Sequence, residues 1–473
     1  MSNSNKQKST RKIMKKLNLL LISGALALVT VANAAAPALN GQVTLRPLTP
    51  SEIKDYSLTG LQGASGLSTL GVGEPAYLEV LVNAAIAPSN IVSVTWTLTT
   101  KPIGSLAALA PSPLGTNIPT YKTADRVNQA WVPYLQVAGR TMLRPDITGQ
   151  YAVNVTIVTA GGSGTTNLTQ KITAGTYLGA QTCALCHSGG VIAENKYTTW
   201  LQTPHASFFT RAIDGLVSDH YSKNCISCHT VGYDANTNAV NGGFDDIATS
   251  LNWIFPTVLT NGNWAAMPPQ LQALANIQCE NCHGPGSEHA ASLGNTNVVN
   301  WPRITKTFAA GDCAQCHDSK PTHIRSAEWN NSLHARASRT PSGAGREACV
   351  RCHTAGGFAA WADAGGMTNQ NAHPTTLNYT PNTTYEAITC QACHDPHDAS
   401  NPHQLRLDTS VTLSDGTVVT NAGSGAFCMQ CHNSRNGSVT NMMAKYPTVP
   451  TTANLISQTN WVGGVSFLSL IHI

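Results

Sequence analysis

Seven CxxCH motifs constrain this chain more than any other feature of it. They begin at Cys183, Cys225, Cys279, Cys313, Cys349, Cys390 and Cys428. Their second cysteines are Cys186, Cys228, Cys282, Cys316, Cys352, Cys393 and Cys431, and their histidines are His187, His229, His283, His317, His353, His394 and His432. All 14 cysteines of the sequence fall inside these motifs. Two thiols separated by two residues can reach one porphyrin edge and form thioethers to its vinyl groups, while the adjacent imidazole binds the iron from one face. Zinc sites and dithiol redox pairs also use CxxC, but neither needs a histidine next door. A histidine after every one of the seven pairs therefore points to haem c, with seven covalently attached groups.

Successive motifs begin 34 to 54 residues apart. That is too little protein per haem for a conventional core, so the porphyrins are expected to supply much of the buried apolar area. Short helices and loops would wrap around them, commonly with one helix after each motif. Only 11% of the 473 residues are charged, which suits turns and short strands better than long salt-bridged helices.

The N-terminus reads as a secretory signal over residues 1–34. Lys6, Lys8, Arg11, Lys12, Lys15 and Lys16 form a basic region, Leu17 to Val31 is largely apolar, and Ala32-Asn33-Ala34 offers a cleavage site. The apolar run is shorter than the roughly 20 residues a spanning helix needs. Cleavage would leave 22 basic residues against 24 acidic ones, and haem propionates would add further negative charge. The formal charge of +4 on the whole chain is thus no argument for nucleic-acid binding. Redox partner proteins are the expected partners, in the periplasm or at the cell surface, with no transmembrane segment after cleavage.

Residues 38–175 contain no cysteine and hold β-rich runs bounded by turns. Ala76 to Val82, Ile91 to Leu98 and Gly149 to Val158 read as strands from their alternation and β-branched content. Asp146-Ile147-Thr148-Gly149-Gln150-Tyr151 resembles the tyrosine corner of immunoglobulin-like sandwiches, and Trp96 lies where such folds often carry a core tryptophan. The expected fold is an N-terminal all-β, Ig-like or PKD-like sandwich followed by a mostly α and irregular multihaem cytochrome c domain over residues 177–435. The β domain holds no candidate catalytic cluster, which leaves a spacer, docking or surface-attachment role for it.

The haem region repeats internally. Cys183 to His187 is followed by Trp200-Leu201-Gln202-Thr203-Pro204-His205-Ala206, and Cys313 to His317 by Trp329-Asn330-Asn331-Ser332-Leu333-His334-Ala335. The second motif of each copy runs on into Thr230-Val231-Gly232 or Thr354-Ala355-Gly356. The third carries a nearby second histidine, His289 or His397. Two three-haem units and a seventh haem result. Residues 436–473 form a tail, and Leu468 to Ile473 matches the translation of a sequencing-adapter end, so that the tail is expected to be truncated and His472 is set aside.

Eight histidines remain as candidate second ligands: His205, His220, His289, His323, His334, His373, His397 and His403. Seven bis-histidine haems would need seven of them. His205 and His334 occupy duplicated positions. His289 and His397 follow their own motifs too closely to fold back onto the same iron, so each is expected to reach a neighbouring haem. Met442 and Met443 are weaker candidates, and methionine ligation would raise the potential.

The order of CxxCH, W-x-x-S/T-x-H-A, CxxCH-T-x-G and CExCHGPGSEH resembles multihaem cytochromes c of the nitrifier tetrahaem cytochrome and octahaem hydroxylamine-oxidoreductase group. That resemblance spans roughly residues 177–435 and implies bis-histidine haems in stacked and perpendicular pairs that pass electrons along the chain. Some relatives carry one open haem that converts small nitrogen or sulfur compounds. This sequence has no CxxCK site, and no tyrosine can be matched to the haem crosslink of the hydroxylamine-oxidising relatives. The balance favours an electron carrier over a substrate-converting enzyme. The alternatives are an oxidoreductase acting on nitrite, hydroxylamine or tetrathionate, and a conductive filament or surface complex assembled through the β domain.

Overall fold

The structure, a computed structural model, describes residues 36–121, 135–234, 236, 239–293, 300–335, 347–364, 386–406, 410–412 and 418–432. The signal at 1–34, the tail at 436–473, Met442, Met443 and His373 lie outside the described residues, as does the side chain of Cys349.

Eight strands make two four-stranded sheets. One has the order β1 (Gly41–Leu45), β3 (Ala76–Asn83), β6 (Leu135–Leu143), β5 (Leu109–Pro111). The other runs β2 (Thr69–Gly71), β8 (Thr165–Gly175), β7 (Gly149–Thr159), β4 (Ile91–Thr100). Neighbours are antiparallel except β2, which pairs parallel with β8 through Thr69 and Thr173. The three strands expected from alternation coincide with β3, β4 and β7.

Alternation explains how the two sheets share a core. Tyr151, Val153, Val155 and Ile157 of β7 are buried and meet Leu78, Val80 and Val82 of β3, with Trp96 and Leu98 of β4 packed alongside. The outward residues of β3 are buried as well, because a second layer covers them. Tyr77 packs with Leu48, Leu114 and Ile118, and Glu79 holds the Arg140 guanidinium at 2.5 Å. Burial pushes the Glu79 carboxyl up against the opposing pull of Arg140 and Arg46.

The two sheets end at Gly175, and from Ala180 the described chain is short helix, loop and turn, apart from a two-residue ladder of Val411–Thr412 with Val418–Val419. Short helices follow several motifs as expected, among them Tyr197–Trp200, Ser287–Ala291, Arg325–Asn330 and Ala355–Asp363. The motifs themselves also lie in or overlap short helices: Ala180–His187, Ile226–His229, Cys279–His283, Ala310–His317, Glu347–His353, Cys390–Cys393 and Gly425–Cys431. The reason is geometric. Residues i and i+3 of a helix lie on one face, so a single turn presents both sulfurs to the same side.

One difference from expectation concerns the core. Phe209 and Ile213, ahead of the second motif, and Val231, Phe244, Met267 and Leu271, between the second and third, form a buried aromatic and aliphatic cluster. The gap between the second and third motifs is the longest, and it supplies most of this protein core.

The β-sandwich is joined to the haem-motif region by specific bonds. Thr49 Oγ1 donates to Asp318 Oδ2 at 2.8 Å, and Ser51 N donates to Asp318 O at 2.9 Å. The Tyr177 hydroxyl donates to Glu74 Oε1 at 2.7 Å. Thr176 N donates to Ser287 Oγ at 2.8 Å.

Candidate haem sites

The structure gathers motif histidines with non-motif histidines in pairs. Ring centres are 6.4 Å apart for His187 and His289, and 6.2 Å apart for His205 and His317. They are 6.0 Å apart for His283 and His397, and 6.1 Å apart for His334 and His432. Two imidazoles on opposite faces of one ion, each with a metal–nitrogen bond of about 2 Å, have ring centres about 6 Å apart. All four pairs thus have the span that a shared iron requires. Direct contact between the rings would bring them closer.

The His283–His397 pair is the best defined. Its rings are nearly parallel, at 13°. His283 donates Nδ1–H to the Thr305 carbonyl at 2.6 Å. Asp395 Oδ1 lies 3.3 Å from His397 Nδ1 and also accepts the His397 backbone N–H at 3.0 Å. With both Nδ1 atoms engaged, each Nε2 is left as the metal-facing atom, the arrangement by which outer partners fix tautomer and ring orientation. Burial alone would raise the Asp395 carboxyl. The bond to His397 and the Arg406 charge outweigh it and hold the group well below the usual carboxylate range.

Other histidines fit the same pattern. Burial, with the charge of His317 beside it, lowers His205 to about 4, and burial with His323 nearby lowers His229 to about 4. Both are neutral near pH 7, the form with a lone pair free for a metal. The buried Nδ1 of His289 has no hydrogen-bond partner, which suits a nitrogen whose partner is a metal ion. Among the described residues no group of three or more His, Cys, Asp or Glu side chains gathers around an ion-sized point.

The remaining candidates are placed differently. His323 lies 6.2 Å from His317 at 87°, edge-on to a ring that already faces His205. His220 is exposed and bonds Ser218 Oγ. His403 adopts φ +57° and offers its backbone carbonyl, which accepts from His394 Nδ1 at 2.8 Å. It therefore orients one motif histidine through its main chain, with its own ring exposed. His353 ends the helix Glu347–His353.

The cysteines bring the motifs together in an order that differs from the sequence. These free thiols stand in for thioether sulfurs. Cys183 is within hydrogen-bond reach of Cys279, Cys228 of Cys316, Cys313 of Cys390, and Cys352 of Cys431. Gln315 Nε2 donates to Asn281 O at 2.8 Å, tying the fourth motif to the third, and Asn281 Nδ2 donates to Thr230 O at 2.8 Å, tying the third to the second. Cys428 lies near Cys393, which links the seventh motif to the sixth.

The duplicated sequence positions do duplicated work. Trp200 Nε1 donates to Ile277 O at 3.2 Å and Trp329 Nε1 to Ile388 O at 2.7 Å. Each carbonyl lies two residues before the third motif of its own unit. Thr230 Oγ1 donates to Ile226 O at 2.7 Å, and Thr354 Oγ1 to Val350 O at 2.9 Å. Trp200→Phe and Trp329→Phe are each expected to destabilise the protein by about 1–2 kcal/mol, the cost of stranding a carbonyl partner. Denaturant midpoints would check this, and equal losses are expected from the two units.

Sequence reasoning missed the groups that hold these histidines, the Thr305 carbonyl and Asp395. Asp395 had a visible signal, since it sits between His394 and His397. The Thr305 carbonyl had none.

Comparison with known proteins agrees with this geometry. Residues 383–437 match the family described as doubled CXXCH motif. Over 165 residues the chain is 24% identical to a protein named multihaem cytochrome MtrA from Shewanella baltica (strain OS185), covering 31% of this chain and 44% of that one. The chain thus spans less than half the length of that curated relative. A solved family 123 glycoside hydrolase from Clostridium perfringens overlaps 37% of this chain and 36% of its own, at 10% identity and a TM-score of 0.15, a likeness that carries no argument. No helix among the described residues is long and apolar enough to cross a membrane. From the motifs and these likenesses together, the chain is a multihaem, haem-binding c-type cytochrome.

Proposed function

We propose that the protein is a secreted heptahaem cytochrome that relays electrons between redox partner proteins through mostly bis-histidine centres. Bound haem c supplies a one-electron iron couple. The observation that carries the reading is the His283–His397 pair, 6.0 Å apart with both Nδ1 atoms held by Thr305 and Asp395. His289, His205 and His334 face His187, His317 and His432 at similar spans. A ligand donated from one motif's neighbourhood to another's locks the centres together and fixes their spacing.

The thiol contacts support a route in which the first, third and fourth motifs adjoin in turn. From the fourth the route continues through the sixth and seventh to the fifth, with the second branching at the third and fourth. Histidine rather than methionine as second ligand keeps the potentials low. The motif order supports kinship with the nitrifier tetrahaem and octahaem hydroxylamine-oxidoreductase group.

The N-terminal sandwich is read as immunoglobulin-like. Its support is the β1-β3-β6-β5 and β2-β8-β7-β4 strand orders, Trp96 against the core, and the Tyr151 hydroxyl donating to Ile147 O at 2.9 Å, as in a tyrosine corner. Export to the periplasm or cell surface rests on residues 1–34. A second reading, an oxidoreductase with one open haem for small nitrogen or sulfur compounds, draws support from His229, whose ring is packed by Phe208 at 4.4 Å and Tyr221 at 5.4 Å.

The experiment is haem quantification on purified, matured protein by pyridine haemochromogen absorbance and intact mass. Seven haems per chain and a mature N-terminus near Ala35 are expected. Fewer haems, with free thiols at any motif, would contradict the heptahaem reading.

A further inference from the structure

Strand β2 is three residues long and lies at the edge of its sheet, yet it reaches a motif histidine. Thr69 Oγ1 donates to the His283 carbonyl at 2.7 Å. Thr69 N donates to Thr305 Oγ1 at 3.1 Å, and Ser68 Oγ lies 3.1 Å from the same oxygen. Thr305 in turn holds His283 at both ends: its N–H donates to His283 O at 3.0 Å, and its carbonyl accepts the ring Nδ1–H at 2.6 Å. The next residue permits the contact. Gly284 has φ +78°, and a Cβ there would lie 2.3 Å from Thr69 Oγ1 and 2.5 Å from Thr69 O. Only glycine lets the strand come this near.

We propose that Thr69 is a positioning residue for His283, so that the β-sandwich sets the redox potential of a haem centre to which it gives no ligand. This rests on the reading of His283 as an iron ligand. The physical link is the Nδ1–H···O=C bond. A strong bond there makes the imidazole a better electron donor, which favours the oxidised metal and lowers the potential. Thr69 keeps that bond strong by clamping Thr305, and it is itself only 2% exposed. The same domain grips the next motif through Thr49 and Asp318, the residue after His317, so the sandwich underpins two adjacent centres. A tethered module would need none of these buried bonds.

The test is an EPR-monitored redox titration of the full-length holoprotein. Thr69→Val keeps the β-branched shape and removes the hydroxyl. One low-spin centre is expected to move to higher potential while the others stay, and Thr69→Ser is expected to restore it. The centre that moves must be the one whose low-spin signal disappears in His397→Ala. A titration of Thr69→Val that superimposes on the parent protein overturns the proposal. Should Thr69→Val fail to mature, Thr305→Val, which removes the hydroxyl that β2 holds and keeps the carbonyl, must move the same centre in the same direction. No movement there overturns it equally. Haem content and low-spin count on the same samples test the ligand reading separately, so the two failures are distinguishable.

Discussion

Replacing His397 with alanine is expected to turn one haem equivalent from low-spin to high-spin in the oxidised protein and to open one carbon-monoxide-binding site in the reduced protein. His283 would keep its bond to Thr305 and lose the ring that faces it at 6.0 Å. With one axial imidazole in place of two, the ligand field weakens and the potential of that centre rises. The other six centres are expected to keep their signals, because His397 is paired with His283 alone among the described rings. Spin-quantified EPR and an optical carbon monoxide titration check both parts. An unchanged low-spin count would remove His397 from the ligand set.

The largest structural effect is expected at Glu280, inside the third motif. Its side chain is 2% exposed. It accepts from Leu178 N at 3.0 Å, Gly179 N at 2.7 Å and Gly286 N at 2.6 Å. Burial raises this carboxyl against the opposing effect of those donors. The bonds from Leu178 and Gly179 dock the start of the first-motif helix on the third motif and hold Cys183 beside Cys279, while that from Gly286 folds the turn after the third motif back onto it. Glu280→Ala strands three backbone donors at about 1–3 kcal/mol each, a loss of about 3–9 kcal/mol. That is a large share of the roughly 5–15 kcal/mol by which domains are stable. Denaturant unfolding followed by haem absorbance should show it. Glu280→Gln retains one acceptor oxygen and is expected to lose roughly half as much.

What the sequence made legible follows from how local each signal is. The CxxCH spacing is local chemistry, so each proposed first ligand is named by its motif alone. The four candidate second ligands argued most strongly, His205, His334, His289 and His397, are also the four whose rings face a motif histidine. Two were visible through duplication, and two through a steric argument about chain too short to fold back. His220 and His403 had neither argument, and the structure places their rings at the surface.

β6 and β8 went unread although they are as long, whereas β3, β4 and β7 were legible because β-branched alternation runs over seven or more residues. Strand β2 was not, since Thr69–Gly71 is too short to carry a period. The order of the motifs in space was also hidden. It depends on contacts between cysteines some 77 to 96 residues apart, such as Cys313 with Cys390 and Cys183 with Cys279, and no local pattern encodes them. Backbone carbonyls such as that of Thr305 act through position alone, so residue identity gives no warning of them.

The central claim is that the centres are mostly closed by two histidines and serve electron transfer. Spin-quantified EPR of the fully oxidised protein, expressed with haem-maturation machinery, tests it most directly. The account predicts seven low-spin ferric centres per chain, one for each CxxCH motif, and no high-spin component. A stoichiometric high-spin signal in the unmodified protein would contradict it, and would make nitrite, hydroxylamine and tetrathionate the substrates to assay.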